Sequence, residues 1–317
     1  MELGVKLPVS GPLASPEAIV RIAQEAERLG YTTAWTYERL LRPVEKVVMW
    51  TGGEPQEVPE VYRSTFEPLE TLSYVAALTE RIQLGTSILV APLHVPVMLA
   101  RRFATLDHFS RGRVIAGLGQ GWQHHEFETA NVSRSRRGAR IEEIVEAMRA
   151  AWGPDPVKYE GEFYRIAPSE VNPKPVQAHL PVLVSGGAPP AIRRAGRIAD
   201  GLILIASSAA DVRGMVETFH DSVREAGRDP EDLAVVAQAP VPITHKPIDA
   251  DRPYLGGAPS QIAEDLANLR GSGVTQVYFA GMGLGADGLE DWVELLGEVH
   301  QAAAGAGALA GSTSSAA

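Results

Sequence analysis

Residues 182–205 read VLVSGGAPPAIRRAGRIADGLILI. The stretch divides into an apolar strand over 182–184, a Ser185-Gly186-Gly187 turn, a helix over 190–198 and a second apolar strand over 201–205. Neither strand alternates polar with apolar residues, which is the pattern of parallel strands covered on both faces. A strand, a helix and a strand of this kind form one parallel β-α-β unit.

The same alternation extends both ways. Upstream, residues 3–7 predict a strand, and Ser15-Pro16-Glu17 supplies a helix cap, a first-turn proline and a first-turn acid. Ile19, Ile22, Ala23, Ala26 and Leu29 follow at helical spacing until Gly30. Further strands are predicted over 33–37, 82–90 and 113–118, with helices over 67–79, 96–109 and 140–152. Downstream, a helix near 211–226, a strand over 233–239, a helix opening at Gly257-Ala258-Pro259, a strand over 276–280 and a helix over 289–303 complete the pattern. Eight strand–helix pairs predict an α/β protein, a closed (β/α)8 TIM barrel, with an open doubly wound sheet as the alternative. The barrel is expected over 1–303 as a single domain, and 304–317, poor in large side chains, as a disordered tail. The inserts 39–66 and 154–180 exceed ordinary connections and are expected to cover the C-terminal face of the strands.

Composition narrows the function. A net charge of −10 repels phosphate backbones and argues against nucleic acid. No cysteine is present, which removes disulfides, thiolate metal sites and cysteine nucleophiles. The first residues, MELGVKLPV, lack a basic start followed by an apolar run, so no signal peptide is expected, and no apolar run is long enough for a membrane span. A cytoplasmic enzyme with a small-molecule substrate is expected.

In such barrels the chemistry sits where strands end. Those places here are Tyr37-Glu38-Arg39, Thr86-Ser87-Ile88, the run from Gly117 to Trp122, Ser185-Gly186-Gly187 and Gly281-Met282-Gly283. Ser185, Gly186 and Gly187 let the backbone approach a ligand, with helix N–H groups behind them; the pattern suits a phosphate, and an ordinary tight turn is the competing reading. Leu183 excludes a nucleophile elbow. Gly117, Gly119 and Gly121 miss the dinucleotide pattern, since Trp122 stands where glycine is needed, and they read instead as room for a flat ring, or as a turn. His124-His125-Glu126 lacks metal-ligand spacing, so no metal is expected. Arg134, Arg136, Arg137 and Arg140 could hold an anionic cofactor tail or simply form a solvated helix start. Trp35, Trp50, Tyr62, Phe66 and Trp122 are candidates for an apolar pocket or for core. Glu38 and Arg39 are charged residues at a strand end, either catalytic or a salt bridge.

Several motifs together resemble a known family. They are GYTTAWTYERL at 30–40, RIQLGTSILV at 81–90, GRVIAGLGQGWQHHEF at 112–127, RRGARIEE at 136–143, YEGEFYRI at 159–166 with NPKPVQ at 172–177, SGGAPPAIRRAGRIADGLI at 185–203 and GAPSQIAEDLANLRGSGV at 257–274. In this order, over roughly residues 2–300, the chain resembles the bacterial luciferase-like superfamily and, within it, the oxidoreductases that use coenzyme F420, a deazaflavin. The resemblance implies a cofactor ring over the strand ends. It implies a bulge behind the ring with a non-proline cis peptide at Ser87-Ile88, and Gly119, Gln120 and Trp122 beside it. It also implies a cofactor phosphate on Ser185, Gly186 and Gly187. The family's sugar-phosphate dehydrogenases end the second strand with Asp-His and place a Glu after the glycine motif. This chain has Glu38-Arg39 and Trp122 there, so that base and that acid are missing. The expectation is hydride transfer between coenzyme F420 and an apolar organic substrate, with Glu38 holding or protonating the reacting group and Arg39 meeting negative charge. A monooxygenase using reduced FMN and a non-catalytic flavin-binding barrel are the alternatives. Family members are often dimers, which leaves a homodimer open.

Overall fold

The computed structural model describes residues 1–49, 52–249, 251–281 and 286–309. Trp50, Met282-Gly283 and the tail from 310 onward lie outside the described residues.

Eight parallel strand positions close into a barrel. They are β1 (Glu2–Lys6), β2 (Thr33–Thr36), β3 (Gln83–Thr86) continued by β4 (Leu89–Val90), β5 (Val114–Gly119), β8 (Val182–Ser185), β9 (Gly201–Ile205), β10 (Ala234–Ala239) and β11 (Gln276–Phe279). β1 pairs with β2 on one side and β11 on the other, and β3 pairs with β5 to complete the closure. The surrounding helices are α1 (Pro16–Leu29), α2 (Pro68–Ala76), α3 (Pro96–Ser110), α5 (Arg137–Trp152), α6 (Pro189–Ile198), α7 (Ala209–Glu225), α8 (Pro259–Asn268) and α9 (Leu289–Gly305), with a short α4 (His124–Thr129) after β5. Local chemistry fixes the ends of α1: the Ser15 hydroxyl accepts Ala18 N–H at 3.1 Å, and Gly30 at φ 95° closes the helix. Among the described residues, no helix is long and apolar enough to cross a membrane.

Alternate residues of each strand face inward or outward. Outward-facing Leu3, Val5 and Leu7 pack on the helices in the main core. The barrel interior holds Trp35, Tyr278, Leu183, Ile203 and Val236. Trp35 is fully buried, 5.4 Å from the Tyr278 ring, and its Nε1 donates to Gln276 Oε1 at 3.0 Å. The indole fits because its neighbours are small: a Cβ on Gly85 would fall 2.3 Å from the ring. Trp35 is therefore core and lines no substrate pocket.

Four details differ from the sequence reading. The strand expected over 82–90 is interrupted after Thr86. Residues 154–180 hold an antiparallel hairpin, β6 (Val157–Glu160) and β7 (Arg165–Ser169). This insert connects a helix to the next strand, so it starts and ends at the N-terminal face of the barrel, where Gln177 binds Asp107 and Val114 O. The hairpin runs along α5, with Tyr159 on Glu146 and the backbone of Glu162 and Phe163 on Glu143. Its tip reaches the start of α5, where Glu162 pairs with Arg136 and Phe163 lies under Arg140; of the two inserts, the loop 39–66 is the one that follows a strand. α5 begins at Arg137, ahead of the expected 140. At the other end, α9 runs to Gly305, and Ala308 is buried with its N–H on Ala303 O at 2.9 Å, so order continues past 304.

Candidate active site

The C-terminal ends of the strands form a shallow apolar floor. Continuing the alternation set by Gly85, Leu183, Ile203 and Val236, the next inward positions are Ser87, Ser185, Ile205 and Gln238. Ile205 is 44% exposed although it points along the barrel axis, and Ile88 is half-buried against the interior cluster. Apolar side chains left open at a barrel mouth mark a surface for a ring or another apolar ligand. Two grooves between outer elements, one lined by Leu69, Ser73 and Met98 and the other by Val97, Arg165 and Asn172, contain no residue of a barrel strand.

The floor is raised by a bulge between β3 and β4. The Ser87–Ile88 peptide is cis, as the resemblance implies. Ser87 N–H donates to Thr36 O at 2.6 Å and Glu38 N–H to Ile88 O at 3.0 Å, which ties the bulge to β2. Thr86 Oγ1 donates to Gly117 O at 2.7 Å and accepts Gly117 N–H at 3.0 Å, while Ser87 Oγ lies 2.5 Å from Tyr278 OH. The glycines of β5 make room for this. A Cβ on Gly117 would stand 1.7 Å from Thr86 O, and one on Gly119 would stand 2.6 Å from Ile88 Cδ1. Gln120 and Trp122 follow on the rim, both half-buried.

Glu38 and Arg39 do not pair with each other. Glu38 accepts Val90 N–H at 2.6 Å and meets His94 Nε2 at 2.7 Å, so its carboxylate holds the far side of the bulge. Arg39 Nη1 donates to both oxygens of Glu126 at 3.0 Å, and its guanidinium lies over Tyr62 and Trp122 at 4.9 and 5.2 Å. Glu126 is fully buried; burial pushes its carboxyl up, against the pull of Arg39. The charge of Arg39 is thus already compensated inside the protein.

Two mouth residues escaped the sequence reading. Lys6 ends β1 on the inward face, 6% exposed, with Nζ 3.8 Å from the Tyr37 ring centroid. Burial and then the charge of Arg39 push its pKa down to about 7. A lysine at an inward position of the run LGVKL was a readable signal. His94 was not readable: its link to Glu38 spans 56 residues.

The phosphate cradle is narrower than expected. α6 opens with Pro189-Pro190, which carry no N–H, and Ala191 N–H donates to Ala188 O at 2.9 Å. Gly186 N–H is held by Ile203 O at 3.1 Å. The free donors are those of exposed Gly187 and Ala188, and a Cβ on Gly187 would meet nothing within 4 Å. The start of α5 adjoins α6, the helix behind this turn, since a Cβ on Gly138 would lie 2.4 Å from Arg194 Nη2. Among the described residues, Arg134, Arg137 and Arg140 make no ion pair, Arg140 Nε has no partner, and Arg140 rests on Phe163 at 4.3 Å. Positive charge without a counter-charge in a protein of net charge −10 fits an anionic ligand at this corner.

The chain belongs to the luciferase-like monooxygenase family, whose model matches residues 1–263. It is 33% identical over 300 residues to an uncharacterized protein of Mycobacterium tuberculosis, covering 93% of this chain and 97% of that one. It is 31% identical over 228 residues to an F420-dependent glucose-6-phosphate dehydrogenase of Kineococcus radiotolerans, covering 71% of this chain and 62% of the relative. A solved monooxygenase of Streptomyces bottropensis shares the fold with a TM-score of 0.76 at 22% identity, covering 95% and 98% of the two chains.

Proposed function

We propose that this protein moves a hydride between coenzyme F420 and an apolar organic substrate held under the loop 39–66. The observation that carries the reading is the floor itself: Ile88, pushed forward by a bulge that Gly117 and Gly119 accommodate, beside an exposed Ile205. Gly187, Ala188 and the arginines at the start of α5 would hold the anionic end of a flat cofactor whose ring rests on these side chains. When bound, the deazaflavin supplies the hydride chemistry.

The chain's own residues position the partners and exclude water. Glu38 fixes the bulge through Val90 N–H and orients His94. Lys6, poised near neutrality, is placed to give or take a proton at the substrate. Arg39, neutralised by Glu126 and in contact with the rings of Tyr62 and Trp122, is a wall of the pocket and anchors the loop. The base and acid of the sugar-phosphate dehydrogenases are absent from the matching positions, which turns the reading toward a different substrate.

Fluorescence titration with F420 and with FMN tests the cofactor. Tighter binding of F420 is expected, and tighter binding of FMN would move the protein to the reduced-flavin monooxygenases. Gly187→Val tests the cradle, because it fills open space without touching the fold. Affinity for the cofactor falls about tenfold or more if one charge-assisted hydrogen bond is lost.

A further inference from the structure

We propose that Glu45, His124 and His125 form a binding site for one divalent transition-metal ion at the rim of the barrel. Spacing in the sequence hides it, because the third ligand comes from the loop 39–66 and not from the His-His-Glu run; Glu126 turns inward to Arg39. One ligand atom from each of Glu45, His124 and His125 lies within 4.8 Å of the others. The two imidazole rings stand 3.8 Å apart.

The hydrogen bonds around His125 prepare it for a cation. Gln123, buried at 1% exposure, accepts the backbone N–H of His125 on its Oε1 at 3.1 Å. That donor fixes the atom as the carbonyl oxygen. The same oxygen lies 3.1 Å from His125 Nδ1, so Nδ1 carries a hydrogen and donates it. That leaves Nε2 as the ring atom facing Glu45 Oε1, 2.5 Å away. With His124 beside it, two imidazoles and a carboxylate converge on one point, which suits a metal ion with a carbonyl oxygen behind one ring. This donor set suits zinc, nickel, cobalt or copper rather than magnesium or calcium. Glu45 is 68% exposed on its side chain and free to rotate outward by the small amount that metal–ligand lengths of about 2.0–2.2 Å require.

The ion would join two segments that already touch. Val47, Met49 and Val58 of the loop pack with Trp122, directly before the histidines. Metal binding therefore latches the loop that roofs the mouth to the start of α4, the helix that follows β5.

The test uses tag-free protein and Zn2+ alone, followed by calorimetry, with the visible absorption of Co2+ as a second readout. One Zn2+ per chain with micromolar affinity is expected, together with intense Co2+ bands of a four-coordinate site. His124→Ala/His125→Ala, both on the rim, lowers affinity by about a hundredfold, and Glu45→Gln by about tenfold. The melting temperature rises with Zn2+ in the native protein and stays constant in the double variant. Binding only at millimolar Zn2+, or equal binding by the double variant, overturns the proposal.

Discussion

Glu38 and Arg39 are adjacent in the chain just past the end of β2, yet they turn to different partners, Glu38 to His94 and Arg39 to Glu126, which residue types alone do not reveal. Glu38→Gln keeps one acceptor for Val90 N–H and removes the charge that His94 meets. The expected loss in unfolding free energy is about 1–3 kcal/mol, measured by denaturant titration, with slower turnover following from a displaced bulge. Native stability with lost turnover would place Glu38 at the reacting atoms instead. Lys6 gives a prediction with a definite pH window. Its folded pKa of about 7 lies below the ordinary 10.5, so between those values the unfolded chain carries a proton that the folded protein lacks. Stability contributed by this site therefore rises with pH across that window and is lowest below about 7. Lys6→Met removes the dependence. The variant is more stable than the native protein at pH 6, and the gap narrows by up to about 1.4 kcal/mol per pH unit above 7. A gap that stays constant from pH 6 to 10 would mean that Lys6 keeps its charge in the fold.

Strands and helices were legible where the pattern is local. α1 has its serine cap, its proline and its apolar spacing within 16 residues, 15–30. The unit from β8 to β9 was legible for the same reason. The break between β3 and β4 was not, because its cause lies on another strand: Gly117 and Gly119 vacate the space that Thr86 and Ile88 occupy. The hairpin β6–β7 was missed as an element because six prolines or glycines in 154–180 suggested an irregular loop, although Val157 pairs with Ser169 and Tyr159 with Ile166 across it. The dependence of the bulge on β5 predicts a graded series. Gly117→Ala forces a backbone carbonyl to move and fails to fold or loses well over 3 kcal/mol, more than ordinary overpacking. Gly119→Ala meets the end of a flexible isoleucine, costs about 1–3 kcal/mol, and weakens cofactor binding by shifting Ile88. Circular dichroism and fluorescence titration on the pair check the order. Equal effects of the two substitutions would show that the bulge does not rest on Gly117.

At the scale of the whole molecule, the alternation of eight buried strands with amphipathic helices identified the barrel, and the position of each loop after a strand or a helix decides which face it occupies. That rule puts 39–66 at the mouth and the ends of 154–180 at the opposite face; length alone assigned both to the mouth. Charge at this scale poses a competition. The chain carries −10 overall, which repels an anionic cofactor, yet Arg134, Arg137 and Arg140 gather where its anionic end is expected. Carboxylates beside them are engaged: Glu142 with Arg194, Glu143 with backbone N–H groups of the hairpin, and Glu162 with Arg136. Screening decides which influence prevails. At about 0.01 M salt the Debye length is about 30 Å and the net charge of the whole barrel is felt; at about 0.1 M it is about 10 Å and only the local arginines count. Above about 0.1 M, added salt therefore weakens F420 binding by the native protein, because it screens attraction. In Arg134→Gln/Arg137→Gln the attraction is largely gone, and the same increase in salt leaves the affinity level or raises it. Titrations from about 0.1 to 1 M salt separate the two proteins by the sign of the slope. Identical slopes would mean that the anionic end binds away from α5, and that the cradle consists of Gly187 and Ala188 alone.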